Sequence, residues 1–154
     1  MIKSFIIILI SGIIVSACGS GQKQTNSTSG SSYKEPHSYN LKFIVSNEAI
    51  TDPSEDKRSY YRIFINKATE GRTTIGLESQ KKAYKTKLSP NKHLLEIKKF
   101  VLDKKRKKYI PLNNIHQPKP PFIYVTIPKD KIVVVKMKVS KSNKAEYTQT
   151  FEIK

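Results

Sequence analysis

The residues able to do covalent or metal chemistry are few and scattered: one cysteine, Cys18, and three histidines, His37, His93 and His116. No two of the histidines have the spacing of metal ligands, and a lone thiol can neither close an intramolecular disulfide nor build a multi-cysteine zinc site. Serines are plentiful, but they gather in one Ser/Gly-rich stretch and in turns, with no Gly-x-Ser-x-Gly elbow to expose a nucleophile. Acidic residues stand singly apart from Glu55-Asp56, so no carboxylate pair presents itself for glycoside chemistry. The pattern argues for a non-catalytic chain with no metal and no cofactor, and names no catalytic residue; an uncharacterised hydrolase is the alternative.

What the chain holds in quantity is positive charge: 29 Lys and Arg against 12 Asp and Glu, a formal +17. The densest run is Lys104-Lys105-Arg106-Lys107-Lys108, flanked by Lys98 and Lys99, with Lys81, Lys82, Lys85 and Lys87 upstream. Such a field concentrates polyanions and speeds their association. Beside a membrane each cation contributes on the order of 1 kcal/mol of attraction to anionic headgroups. The candidate partners are anionic lipid, acidic glycan or another envelope protein; no nucleic-acid-binding motif accompanies the charge. The competing explanation is protective, since lysine on the solvent face of an edge strand blocks sheet-to-sheet aggregation.

The elements that position these groups begin with the N-terminus. Met1-Ile2-Lys3 gives a positive start, and Phe5 to Val15 is apolar apart from Ser11 and Gly12. A permanent membrane helix needs roughly 20 apolar residues to cross about 30 Å of hydrocarbon. This run is shorter and suits a removable export signal spanning residues 1–17.

The residues that close it, Val15-Ser16-Ala17-Cys18, resemble the lipobox of bacterial lipoproteins: an aliphatic residue, two small residues, then the cysteine. The resemblance implies diacylglycerol on the Cys18 sulfur, cleavage before it, further acylation of the palmitate kind, and a mature protein held on a membrane by lipid. Several acyl chains make such attachment effectively permanent, where one is marginal. Gly19 and Ser20 follow, in place of the aspartate that holds many lipoproteins at the inner membrane, which favours the outer membrane. As a whole the chain looks like small lipoproteins of spirochaetes and similar low-GC bacteria.

From Gly19 to Ser32 there is no aliphatic or aromatic side chain. Residues 18–32 are thus expected to form a lipidated cysteine and a flexible tether, because such a stretch cannot bury enough apolar surface to offset ordering. A Gly/Ser-rich coil of this length reaches roughly 20 Å.

Residues 33–154 have the size of one domain, and their apolar residues are of strand type. Val135, Met137 and Val139 alternate with Lys136 and Lys138, and after a polar turn Tyr147, Phe151 and Ile153 alternate with Glu146, Thr148, Thr150 and Glu152. This predicts a hairpin with one face in the core, although Gln149 falls on the inward set. Leu41–Val45, Tyr60–Ile65 and His93–Ile97 continuing towards Leu102 predict further strands, and Phe122–Ile127, apolar on both faces, is expected inside the fold. One of the adjacent tyrosines Tyr60 and Tyr61 should be core, leaving the other for a binding face. The prolines of His116–Pro121 require an extended segment, a stiff connector in preference to a docking site for an aromatic groove. The expected fold is all-β: a single antiparallel β-sandwich, with an open barrel as the alternative.

Phe64-Ile65-Asn66-Lys67, Gly71-Arg72-Thr73 and Leu88–Ile97 are similar to the PEGA-type β-sandwich module of bacterial envelope proteins, in which a strand, a short turn, Gly-x-Thr and a second turn lead into a strand. Asn91 stands where that module has its turn glycine, and no proline follows Thr73. The resemblance implies a non-catalytic Ig-like or PEGA-like sandwich on the cell envelope and transfers no site residue. Two functions follow as expectations: a membrane-anchored structural or binding lipoprotein, or a surface adhesin that takes polyanions on its lysine-rich face.

Overall fold

The computed structural model describes residues 38–48, 50 and 52–153, without the side chains of residues 69 and 70. The signal at 1–17, the lipobox with Cys18, the tether to residue 32 and His37 lie outside the described residues.

The described residues form an all-β sandwich, with one short 3-10 turn at Pro53–Glu55. The first sheet has the order β10-β9-β1-β5, from Ala145–Ile153 (β10), Lys131–Val139 (β9), Leu41–Asn47 (β1) and Lys82–Thr86 (β5). The second runs Thr69–Arg72 (β3), Arg58–Ile65 (β2), Lys92–Asp103 (β6) and Lys108–Pro111 (β7); Gly76–Leu77 (β4) joins β2, and Phe122–Thr126 (β8) joins β6. Pairing is antiparallel except between β1 and β9, which run parallel.

Alternation builds the core. Leu41, Phe43 and Val45 of β1, with Val133, Val135, Met137 and Val139 of β9, face Tyr61, Ile63 and Ile65 of β2 and Leu95, Ile97 and Val125 of β6 and β8. Lys136 and Lys138 point to water, as the alternation of β9 requires. Asn40 pins the entry of the chain: its side chain accepts from the Leu88 N–H and donates to the Leu88 carbonyl, both at 2.8 Å. The turn after β2 is closed by Asn66 and Lys67 in left-handed backbone, φ 51 and 62, where asparagine is favoured among non-glycine residues. Asn66 also receives the Leu94 N–H at 2.9 Å, which ties this turn to β6.

Two expectations about burial are corrected. The β9–β10 hairpin forms, but Phe151 and Ile153 are not core: they are 58% and 89% exposed. Strand β10 outruns the sheet that faces it, and only its first half, Ala145 and Tyr147, is covered. Gln149 marks where cover ends, its amide donating to the Tyr124 carbonyl at 3.1 Å. Strand β8 is likewise not buried on both faces. Ile123, Val125 and Ile127 turn inward, while Phe122 and Tyr124 are 46% and 54% exposed.

Candidate functional site

Lys104, Lys105, Arg106, Lys107 and Lys108 come together at the turn between β6 and β7, and all are exposed. Asp103 shapes that turn, its Oδ1 accepting from the Lys105 and Arg106 N–H groups at 2.9 and 3.1 Å, and Lys107 takes φ 52. The result is a hairpin tip with outward cations. Beside its base, Lys57, Val101, Leu102, Ile110 and Leu112 line an open groove of about 400 Å³.

The flanking lysines do not join this tip. Lys99 is inward-facing and buried, and its ammonium meets Glu78, with side-chain exposures of 6% and 8%. Lys82, from the upstream run, is also buried and donates to the carbonyls of Leu77 and Gln80. The Asn47 amide adds a 3.3 Å bond to Glu78, and Gln117 clamps the backbone of Lys99 through its N–H and C=O. Period-2 alternation decides this: Lys99 shares the inward register of Leu95, Ile97 and Val101, a signal the charge run conceals.

This interior cluster brings Lys82, Lys99, Glu78 and Tyr61 together. Burial drives the Lys82 ammonium down to about 8, against the opposing pull of Glu78. The Tyr61 hydroxyl is pushed well above the usual tyrosine range by burial and by the Glu78 charge, and it makes no hydrogen bond, nor does the Ser59 hydroxyl. A lysine that deprotonates near 8 has the chemistry of a base or nucleophile. Lys82 is held instead by two carbonyls with almost no surface, so its role is to tie the β4–β5 loop to the core.

Both described histidines have hydrogen-bond partners close by. His93 is buried between the Asn66 amide and the Ser89 carbonyl, both at 2.9 Å, and His116 bonds to Asn113 in an exposed turn. No group of His, Cys, Asp or Glu among the described residues has the arrangement of a metal site. The connector at 116–121 is extended only in part, against expectation: His116 lies in a turn and Gln117 and Pro120 in bends, because Gln117 folds back to clamp the Lys99 backbone, while the Ala145 N–H donates to the Lys119 carbonyl at 2.7 Å.

Both adjacent tyrosines are buried: Tyr61 lies in the core, and Tyr60, on the outer side of the second sheet, is only 7% exposed because Phe100, stacked at 5.1 Å, and Tyr109 cover it, so neither is left free for a binding face. The outer side of that sheet also presents Phe64, Phe122 and Tyr124 with Arg62, Lys92 and Lys98 between them. Sequence reasoning picks out the tyrosine pair but not the face, which is assembled from strands far apart in the chain. No family model matches this chain, and no curated protein or solved structure is detectably similar to it.

Proposed function

We propose that this chain is a lipoprotein of a bacterial envelope: exported, acylated on Cys18, and displaying a non-catalytic β-sandwich that binds a component of its surroundings. The observation that carries this is the sole cysteine placed directly after Val15-Ser16-Ala17 at the end of an apolar run. The sulfur there is a nucleophile chemically suited to take the diacylglyceryl group as a thioether, and no second cysteine competes for it. No helix among the described residues is long and apolar enough to cross a membrane; on this proposal the lipid on Cys18 is the attachment. Gly19-Ser20 after the cysteine favours the outer membrane over the inner.

Mass spectrometry of the native N-terminus tests the proposal. The expected species begins at an acylated Cys18 and incorporates a labelled fatty acid, and Cys18→Ala abolishes the label. A free thiol at position 18 in a chain of full length would overturn it.

A second reading, a surface adhesin for polyanions, is favoured by the convergence of Lys104 to Lys108 on one exposed tip. Protease treatment of intact cells should then remove the domain before the outer membrane is broken, and added salt should weaken binding steeply.

A further inference from the structure

The two outward faces of the sandwich differ in chemistry. On the first sheet the outward positions of β1 and β9 include Lys42, Ser46, Lys136 and Lys138, and no outward position of β1, β5, β9 or β10 is aromatic. Its apolar outward members include the aliphatic Ile44, Ile132 and Val134, of which Val134 is buried. The second sheet instead interleaves rings and cations. Phe122 and Tyr124 remain about half exposed there, in ring contact at 6.3 Å, which solubility alone would not favour.

The interleaving is ordered by register. Arg72, Arg62 and Lys98 are direct cross-strand partners on β3, β2 and β6, so three cationic positions cross the sheet in one row. Neighbouring strands are about 4.8 Å apart, which is close to the repeat of one sugar ring in a linear glycan. Two residues along the strands lies a row of rings, Phe64 on β2 and Phe122 on β8 with Glu96 between; Tyr60 and Phe100 form a row on the other side. Lys92 Nζ sits 4.7 Å from the Tyr124 ring, Lys98 Nζ 5.6 Å from Phe64, and the Arg62 guanidinium 4.9 Å from Phe100.

We propose that the outward face of the second sheet binds a linear acidic polysaccharide, its anionic groups held by Lys92, Lys98 and Arg62 and its sugar rings packed on Phe64, Phe122 and Tyr124. Charge complementarity selects an anion, and the exposed rings select a ligand with apolar C–H faces beside its charges. The proposal rests on the binding half of the function above and names its ligand class; it is independent of lipid on Cys18.

The test uses the detergent-purified full chain titrated with a heparin oligosaccharide, with dextran of equal length and single-stranded oligothymidylate as comparators. Lys92 and Lys98 are exposed, so Lys92→Gln/Lys98→Gln should lower the melting temperature only slightly, through loss of two surface cation–ring contacts. It should weaken heparin binding roughly tenfold or more and flatten its salt dependence, since each cation supplies a charge-assisted contact. Tyr124→Ser should weaken binding several-fold with the salt dependence kept. A variant with Lys104, Lys105, Arg106, Lys107 and Lys108 all changed to Gln should bind nearly as the parent does.

Loss of binding in that hairpin variant alone would overturn the proposal while leaving a polyanion-binding protein. Dextran binding as tight as heparin binding, or oligothymidylate binding tighter, would overturn the acidic-glycan assignment. No binding to any polyanion would sink both this proposal and the adhesin reading.

Discussion

The Lys99 ammonium lies 2.5 Å from a carboxylate oxygen of Glu78 in the interior of the sandwich, joining the central strand β6 to the loop between β4 and β5. A buried pair of this kind adds little net stability, because desolvation of both charges offsets their attraction. Breaking it is another matter. Glu78→Gln leaves Lys99 without its counter-charge and removes the charge that opposes the burial penalty on Lys82. The expected loss is about 3–5 kcal/mol in urea unfolding. Replacing both partners by apolar residues, Glu78→Leu with Lys99→Met, should recover most of that loss.

Lys82 gives the domain a distinctive dependence on pH. Its folded-state pKa is lowered to about 8 from 10.5, so between those values the unfolded chain binds more protons than the folded one. Stability should therefore rise as pH climbs from about 8 towards 10, by about 1–2 kcal/mol after allowance for solvent screening. Tyr61 and Tyr147 have the opposite sign: burial raises both above the ordinary 10.0, so stability falls beyond pH 10 as the unfolded chain ionises. Thermal melts across this range should show a maximum near pH 10, and Lys82→Met should remove the rising limb.

Gly71 allows the two sheets to approach. A methyl group on it would lie 2.3 Å from ring atoms of Tyr84, which is buried on the opposite sheet. Gly71→Ala is expected to cost about 1–3 kcal/mol through overpacking. The cost should shrink in a Tyr84→Ala background, where the two changes become non-additive. Denaturant midpoints of the four-member cycle measure it.

The overhang of β10 predicts a sharp contrast within one kind of side chain. Phe151→Ser and Ile153→Thr remove exposed apolar groups and should change stability by no more than about 0.5 kcal/mol. Phe43→Ala, at a position with no exposure, should cost about 3–5 kcal/mol. Equal effects would mean that the end of β10 packs against something in solution.

Much of the fold was legible because period-2 alternation is a local property. The runs at Leu41–Val45, Tyr60–Ile65 and His93–Leu102, and the Val135–Ile153 hairpin, each form a strand or hairpin at those positions. Strands β3, β4, β5 and β7 were not, since at two to five residues they hold too little alternation and exist because β2, β6 and β1 offer them an edge. For the candidate site, the sequence located the cationic tip at Lys104 to Lys108, where neighbours in the chain remain neighbours in space.

The amino-acid sequence by itself determined the strand-forming segments, the excess of positive charge and the single thiol at position 18. Only the tertiary structure decided which charges face water. Lys98 and Lys99 are adjacent in sequence, yet one reaches solvent beside Phe64 and the other is buried against Glu78. Exposure along a strand is set by which sheet covers it and how far that cover extends. Those are long-range facts of pairing and packing that no window of neighbouring residues contains.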